Sequence, residues 1–258
     1  MRDCLVMGFG RSGTSLMSGI LHKAGYFMGR NLYPPRNSNP KGFFENAYIN
    51  GINERILSAY DNKPQKNTSQ TIYHTPYNPG YGQRWLSYIP PGTKIRCKED
   101  DILTDIERAT KIPNFAYKDP RFNYTLGIWL PYLNSGTIFI CMFREPEITI
   151  QSVLTECHSA EYLSNFDINH KLAEEIWINS YQFLLINYYY QNPNKFVFIH
   201  YKQLLNNEKL DELSEILQQE LKTDFININL NRTKSFYKIS NETIKTYKYL
   251  CNLSGFKF

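Results

Sequence analysis

The sequence lacks the features that mark a membrane, secreted or zinc-organised protein. No apolar run approaches the roughly 18 residues a membrane span needs. The five cysteines, Cys4, Cys97, Cys141, Cys157 and Cys251, are odd in number and without paired spacing. They predict reduced, mostly buried thiols rather than a disulfide frame. No His/Cys cluster has metal-ligand spacing, so no metal is expected. The histidines fall in no catalytic spacing, and His200, closing an apolar run, reads as a core residue. Neither a Gly-x-Ser-x-Gly elbow nor a His-Glu-x-x-His pair occurs, which leaves serine-hydrolase and zincin chemistry unsupported. Charge of one sign is also scarce: 29 basic against 24 acidic residues give a net +5. That balance suits an anionic ligand and is too dispersed for a nucleic-acid partner. No leader-like segment precedes the first apolar run, so the expected location is cytoplasmic.

What is present begins at once. Cys4-Leu5-Val6-Met7 leads into Gly8-Phe9-Gly10-Arg11-Ser12-Gly13-Thr14-Ser15 and then into a helix-period segment through Leu21. Strand, glycine turn and helix N-terminus are the parts of a phosphate cradle, where free N–H groups and the helix dipole converge on an anion. Gly8 and Gly13 stand in the P-loop frame, but Thr14 follows where a triphosphate-binding loop has lysine. Arg11 supplies the basic side chain from inside the loop. The pattern predicts a cradle for one phosphate rather than for a triphosphate with magnesium.

With 258 residues the chain is expected to form a single domain, 1–258. Asn31 to Asn46 is turn-rich, and Ile49, Ile52 and Ile56 then recur at helical spacing. Residues 61–92, rich in Tyr, Pro, Asn and Gly, read as a long surface excursion, an acceptor-pocket lid or, equally, a crossover with one short helix near Gln83–Tyr88. Lys98–Thr110, Lys171–Tyr190 and Lys209–Leu221 read as helices; Phe115–Tyr117, Thr137–Phe143 and Phe196–His200 read as buried strands. The tail from Lys222 is polar and carries no clear period. Alternating strands and helices predict an α/β fold, three-layer α/β/α with a central, mainly parallel sheet. Ligands bind beyond the carboxyl ends of such strands. Gly8–Ser15, Lys118–Arg121, Arg144 and Tyr201 all fall at those ends.

Arg144, at a strand end, and Ser152, two turns into the next helix, are placed to hold a second anion beside the first. Together the two elements resemble the sulfotransferases. Gly8 to Leu16 is similar to their 5′-phosphosulfate loop, and Arg144-Glu145-Pro146 with Ser152 is similar to their 3′-phosphate motif. Phe198 to Leu205 resembles their late strand, departing from its usual Tyr-Glu-Asp at Lys202 and Gln203. Asn39 to Glu45 and Lys118 to Arg121 resemble segments of bacterial members, and the similarity runs collinearly over about residues 3–220.

The resemblance implies a P-loop-like fold and transfer of a sulfuryl group from 3′-phosphoadenosine-5′-phosphosulfate (PAPS) to a hydroxyl or amine, leaving the bisphosphate PAP, without a metal. It implies that Arg11, Ser12, Gly13, Thr14 and Ser15 hold the 5′ end, Arg144 and Ser152 the 3′-phosphate, and Tyr201 the nucleotide. Arg11 and Lys118 would stabilise charge at the sulfur, and Glu45 would be the general base, with Asp119 as the competing choice. Arg232 and Lys234 are weaker candidates for the 3′-phosphate. The acceptor is a small molecule or carbohydrate, with carbohydrate or glycolipid preferred from the bacterial-type resemblance. Two other readings stay open: a P-loop kinase with a degenerate loop, and a non-catalytic nucleotide-binding protein on the same fold.

Overall fold

The computed structural model describes residues 1–60, 79–164, 166–230 and 233–257. Strand β1 (Cys4–Met7) is wholly buried and feeds α1 (Thr14–Lys23) through the glycine loop. The turn-rich segment then leads to α2 (Ala47–Ser58), whose N-cap Asn46 accepts hydrogen bonds from the amides of Tyr48 and Ile49. Helix α3 (Asp100–Thr110) opens with Asp100 and Asp101 at the positive end of its dipole. Next come β2 (Ala116–Lys118), α4 (Phe122–Trp129), β3 (Ile138–Phe143) and α5 (Pro146–Ser159). Pro146 occupies the first turn of α5, where its missing N–H costs nothing. The chain continues through α6 (His170–Asn187), β4 (Phe196–His200), α7 (Tyr201–Leu205), α8 (Leu210–Leu217) and α9 (Asn241–Ser254).

The four strands lie in the order β2-β1-β3-β4, every pair parallel. Leu5 sits between Tyr117 and Phe139, and Cys141 pairs with Phe198. Alternation within the strands builds two cores. Leu5, Met7, Tyr117, Phe139, Cys141 and Phe198 face α2 to α6 and α9, while Cys4, Val6, Ala116, Ile140, Met142 and Ile199 face α1 and α8. Helices therefore cover both faces, which is why the strands read as unbroken apolar runs. Parallel pairing also puts the carboxyl ends of all four strands along one rim of the sheet.

Two elements escape the sequence pattern. Helix α4 is buried almost all round, from Phe122 to Trp129, so it shows no amphipathic period. Helix α9 is polar overall but buries Thr243, Thr246, Tyr247, Leu250, Cys251 and Ser254 on one stripe. The expected surface excursion is corrected in part. Residues 61–78 lie outside the described residues. Beyond them, a 3-10 turn at Arg84–Leu86 plugs Trp85, Leu86 and Ile89 into the core, in line with the short-helix alternative. Among the described residues no helix is long and apolar enough to cross a membrane.

Candidate active site

The rim gathers its side chains around a cavity of about 660 Å³. The glycine loop forms one wall. Gly8 has φ 123°, and a Cβ there would sit 2.1 Å from the Met142 carbonyl oxygen of the adjacent strand. Gly13, with φ 90°, lies so close to Tyr201 that a Cβ would come within 2.4 Å of its ring. No other residue fits either position. Arg11 itself adopts φ 69°.

One hydroxyl holds the loop in shape. Tyr181 Oη on α6 donates to the Met142 carbonyl (2.9 Å), accepts from the Phe9 amide (3.2 Å) and meets Ser12 Oγ at 3.1 Å. Asn123 Oδ1 on α4 accepts the Gly8 amide at 3.0 Å. The Ser12 amide donates to Phe9 O. Ser12, one of the residues assigned to the 5′ end, is thus fully buried and turned toward Tyr181, with no part in the cavity wall. Its place is structural, because both its hydroxyl and its amide are already engaged. The amides of Gly10, Arg11, Gly13, Thr14 and Ser15 take no protein acceptor among the described residues. They are the donors left for an anion at the start of α1.

The other residues singled out from the sequence do meet here. Arg11, Gly13, Thr14, Ser15, Glu45, Lys118, Arg144, Ser152 and Tyr201 all line the cavity. Arg11 Nε donates to Ser152 Oγ (3.1 Å), and its Nη2 donates to the Ser38 carbonyl (3.0 Å). The first anion wall is thereby tied to the second. Arg144 is buried, with its guanidinium 4.7 Å above the Tyr201 ring. Burial lowers the Arg144 pKa, and Arg11 pushes the same way, against Tyr201 and Glu145. Arg11 and Arg144 thus bring two cations to one partly desolvated wall of the cavity, where positive charge favours an anion.

Lys118, at the end of β2, is buried and placed between the two halves. Its ammonium donates to Ser15 Oγ at 3.4 Å and forms an ion pair with Glu45. Glu45 also accepts from Asn50 Nδ2 at 2.7 Å. Burial pushes the Glu45 carboxyl up, but Lys118, Arg121 and these hydrogen bonds outweigh it and hold it below the usual value. The segment carrying Glu45 is stapled on both sides, by Tyr33 N to Glu45 O and by Ala47 N to Asn31 O. Asp119, the competing base, is fully buried and does not line the cavity. It accepts from Arg121 and from Asn53 Nδ2 (2.9 Å), which turns it away from any acceptor. His200 is a core residue, accepting from the Lys202 amide and sharing a hydrogen bond with Tyr247. Lys234 is exposed and Arg232 lies outside the described residues; Thr233 reaches the cavity instead. Among the described residues no group of three or more His, Cys, Asp or Glu is placed to hold a metal.

Two solved structures similar to this chain are sulfotransferase domains. The sulfotransferase domain from the curacin biosynthetic pathway superposes with a TM-score of 0.53 over 100% of this chain and 98% of that chain, at 13% identity. The sulfotransferase domain from the Synechococcus PCC 7002 olefin synthase gives 0.53 over 97% and 94%, also at 13% identity. The fold is of the sulfotransferase type. No protein-family model and no curated protein matches the chain in sequence.

On this sulfotransferase-type frame, several residues that line or brace the cavity had no signal in the sequence. Tyr181 and Asn123 act through tertiary hydrogen bonds from distant helices. Trp85 closes under Gly10 from the unpatterned stretch. Phe225 packs against Gly19 of α1 and accepts a hydrogen bond from Lys41. Glu54 and Arg121 form the floor on the Glu45 side, and Arg84 and Asp119, buried behind it, complete their ion-pair network. Glu156 was findable: it follows Ser152 by one helical turn and shares its face of α5.

Proposed function

We propose that the chain is a sulfotransferase that moves a sulfuryl group from PAPS to an acceptor hydroxyl or amine. The observation that carries this reading is the meeting of Lys118, Ser15 and Glu45 beside the glycine loop. A cation there touches both an anion cradle and a carboxylate. The cradle also fits the donor. Open amides at Gly13 to Ser15 with Arg11 suit its 5′ end, and Arg144, Ser152 and the Gly13–Tyr201 contact suit its 3′-phosphate and nucleoside. When bound, that donor supplies an electrophilic sulfur with a phosphate leaving group. Glu45 takes the proton of the attacking group at its carboxylate. The Lys118 ion pair masks Glu45 and keeps it weakly basic. An anion beside Ser15 competes for that ammonium and raises the basicity of Glu45 when it is needed. Arg11 and Lys118 hold the charge that develops on the departing oxygens. The acceptor enters from the side of Tyr33, Tyr81 and Tyr162. The same donor requirements disfavour a kinase, since no lysine follows Gly13.

Thermal shift separates the possibilities, because a ligand that binds only the folded state raises the melting temperature. PAP is expected to stabilise the chain without magnesium, and Arg144→Ala to abolish most of that shift. Stabilisation by ATP with magnesium and not by PAP would make the chain a nucleotide kinase or ATPase. PAP binding with no sulfate transfer from PAPS to a broad acceptor panel would make it a non-catalytic binder.

A further inference from the structure

Glu156 is the one cavity carboxylate whose side chain accepts no hydrogen bond among the described residues. It is 5% exposed, lines the cavity, and its Oε2 is buried. The nearest cation is Arg11, with Nη1 at 3.5 Å. The other two cavity carboxylates are fully engaged, Glu45 with Lys118 and Asn50, Glu54 with Arg84 and Arg121. Burying an acceptor oxygen without a donor is costly unless some state of the protein supplies one. Glu156 stands in the last turn of α5, and Tyr162, in the 3-10 turn at Glu161–Leu163 that follows, lines the same cavity. The unsatisfied oxygen therefore lies toward the Tyr162 side of the cavity, the side from which the acceptor enters on the reading above.

Charge settles what it would recognise. Six cationic side chains and three carboxylates line the cavity. A bisphosphate sulfate donor brings roughly four negative charges at neutral pH. The loaded cavity is then net negative. Arg11, the cation paired with Glu156, is also the loop cation that would face the donor's anionic end.

On the sulfotransferase reading above, we propose that Glu156 is a donor-gated specificity residue. It pairs with Arg11 until the donor draws that guanidinium away. The uncovered carboxylate then accepts a hydrogen bond from an uncharged or cationic acceptor and rejects an anionic one.

The test uses PAP and three phenols of similar size, tyramine, 4-methylphenol and 4-hydroxyphenylacetate, titrated calorimetrically. Glu156→Gln keeps the side-chain size but removes the charge that competes for Arg11. It is expected to bind PAP roughly five- to tenfold more tightly than the wild type. On PAP-loaded wild type the anionic phenol should bind weakest of the three, and Glu156→Gln should bring it to within about twofold of 4-methylphenol. Unchanged or weakened PAP affinity in Glu156→Gln overturns the proposal, and so does an unaltered order among the phenols. A folded wild type that binds no PAP refutes the sulfotransferase reading itself. Glu156→Leu, also uncharged, must give the same direction of change in PAP affinity; the opposite direction would assign the effect to packing.

Discussion

At the scale of single residues the site is a set of charges held in mutual check. Lys118 restrains Glu45, Arg11 covers Glu156, and Arg144 is pressed against the Tyr201 ring. Glu45→Gln should bind PAP at least as tightly as the wild type, since Lys118 is freed for the anion, while lowering kcat by at least about a hundredfold, the usual range for a general base. Retained turnover would remove Glu45 from the chemistry. The depressed carboxyl also sets a pH dependence. Its ionised form is complete above the ordinary value of 4.5 and is lost only as pH falls through the lower folded value. The acid limb of kcat/KM, which reports the free enzyme, should therefore lie below pH 4.5 if the fold survives there. A limb near 6 would mean another group titrates.

At the scale of elements the glycine loop depends on a helix remote in sequence. Tyr181 on α6 fastens Phe9, Ser12 and the end of β3 through one oxygen. Tyr181→Phe leaves the Phe9 amide and the Met142 carbonyl without that partner, a loss of about 1–3 kcal/mol for buried groups. Chemical denaturation should show a destabilisation of that order, and PAP affinity should fall although Tyr181 does not line the cavity. Undiminished affinity would show that the loop holds its shape unaided. The elements also explain what could be read in advance. Strands β1, β3 and β4 were visible because burial on both faces leaves unbroken apolar runs. Helix α4 was invisible for the related reason that burial all round removes the period, and α9 because its buried stripe is largely Thr, Tyr, Cys and Ser. Within the site, Arg11, Arg144, Ser152 and Lys118 were legible because each sits at a strand end or a fixed spacing from one. Tyr181, Asn123, Trp85 and the Glu54–Arg121 floor were not, since only the packing of distant segments brings them together.

At the scale of the whole molecule, His200 joins the sheet to the C-terminal helix. It ends β4, caps α7, shares a hydrogen bond with Tyr247 of α9, and stacks on Phe256 at 3.8 Å between centroids. Burial lowers its pKa from 6.5 to about 4, despite the opposing pull of Glu145. The unfolded chain takes up a proton near pH 6.5 that the folded chain refuses, so stability is complete above that pH and declines as pH drops toward 4. The full effect is about 3 kcal/mol. Melting temperature should thus fall between pH 6.5 and 5, before most carboxylates titrate, and His200→Gln should flatten that slope. An equal slope in the variant would place the proton uptake elsewhere.

The floor that Glu54 and Arg121 give the cavity, ion-paired to Arg84 and Asp119 buried behind it, bears on how such a protein changes its diet over evolutionary time. Losing one member strands a charge in the interior at a cost of about 3–5 kcal/mol, whereas exchanging the whole set for apolar residues is often neutral. No single mutation leads easily from one floor to another. Tyr33, Tyr81 and Tyr162, at the edge of the same cavity, carry no such penalty. Drift in acceptor preference among relatives should accumulate at those rings first, while the floor is inherited as a block.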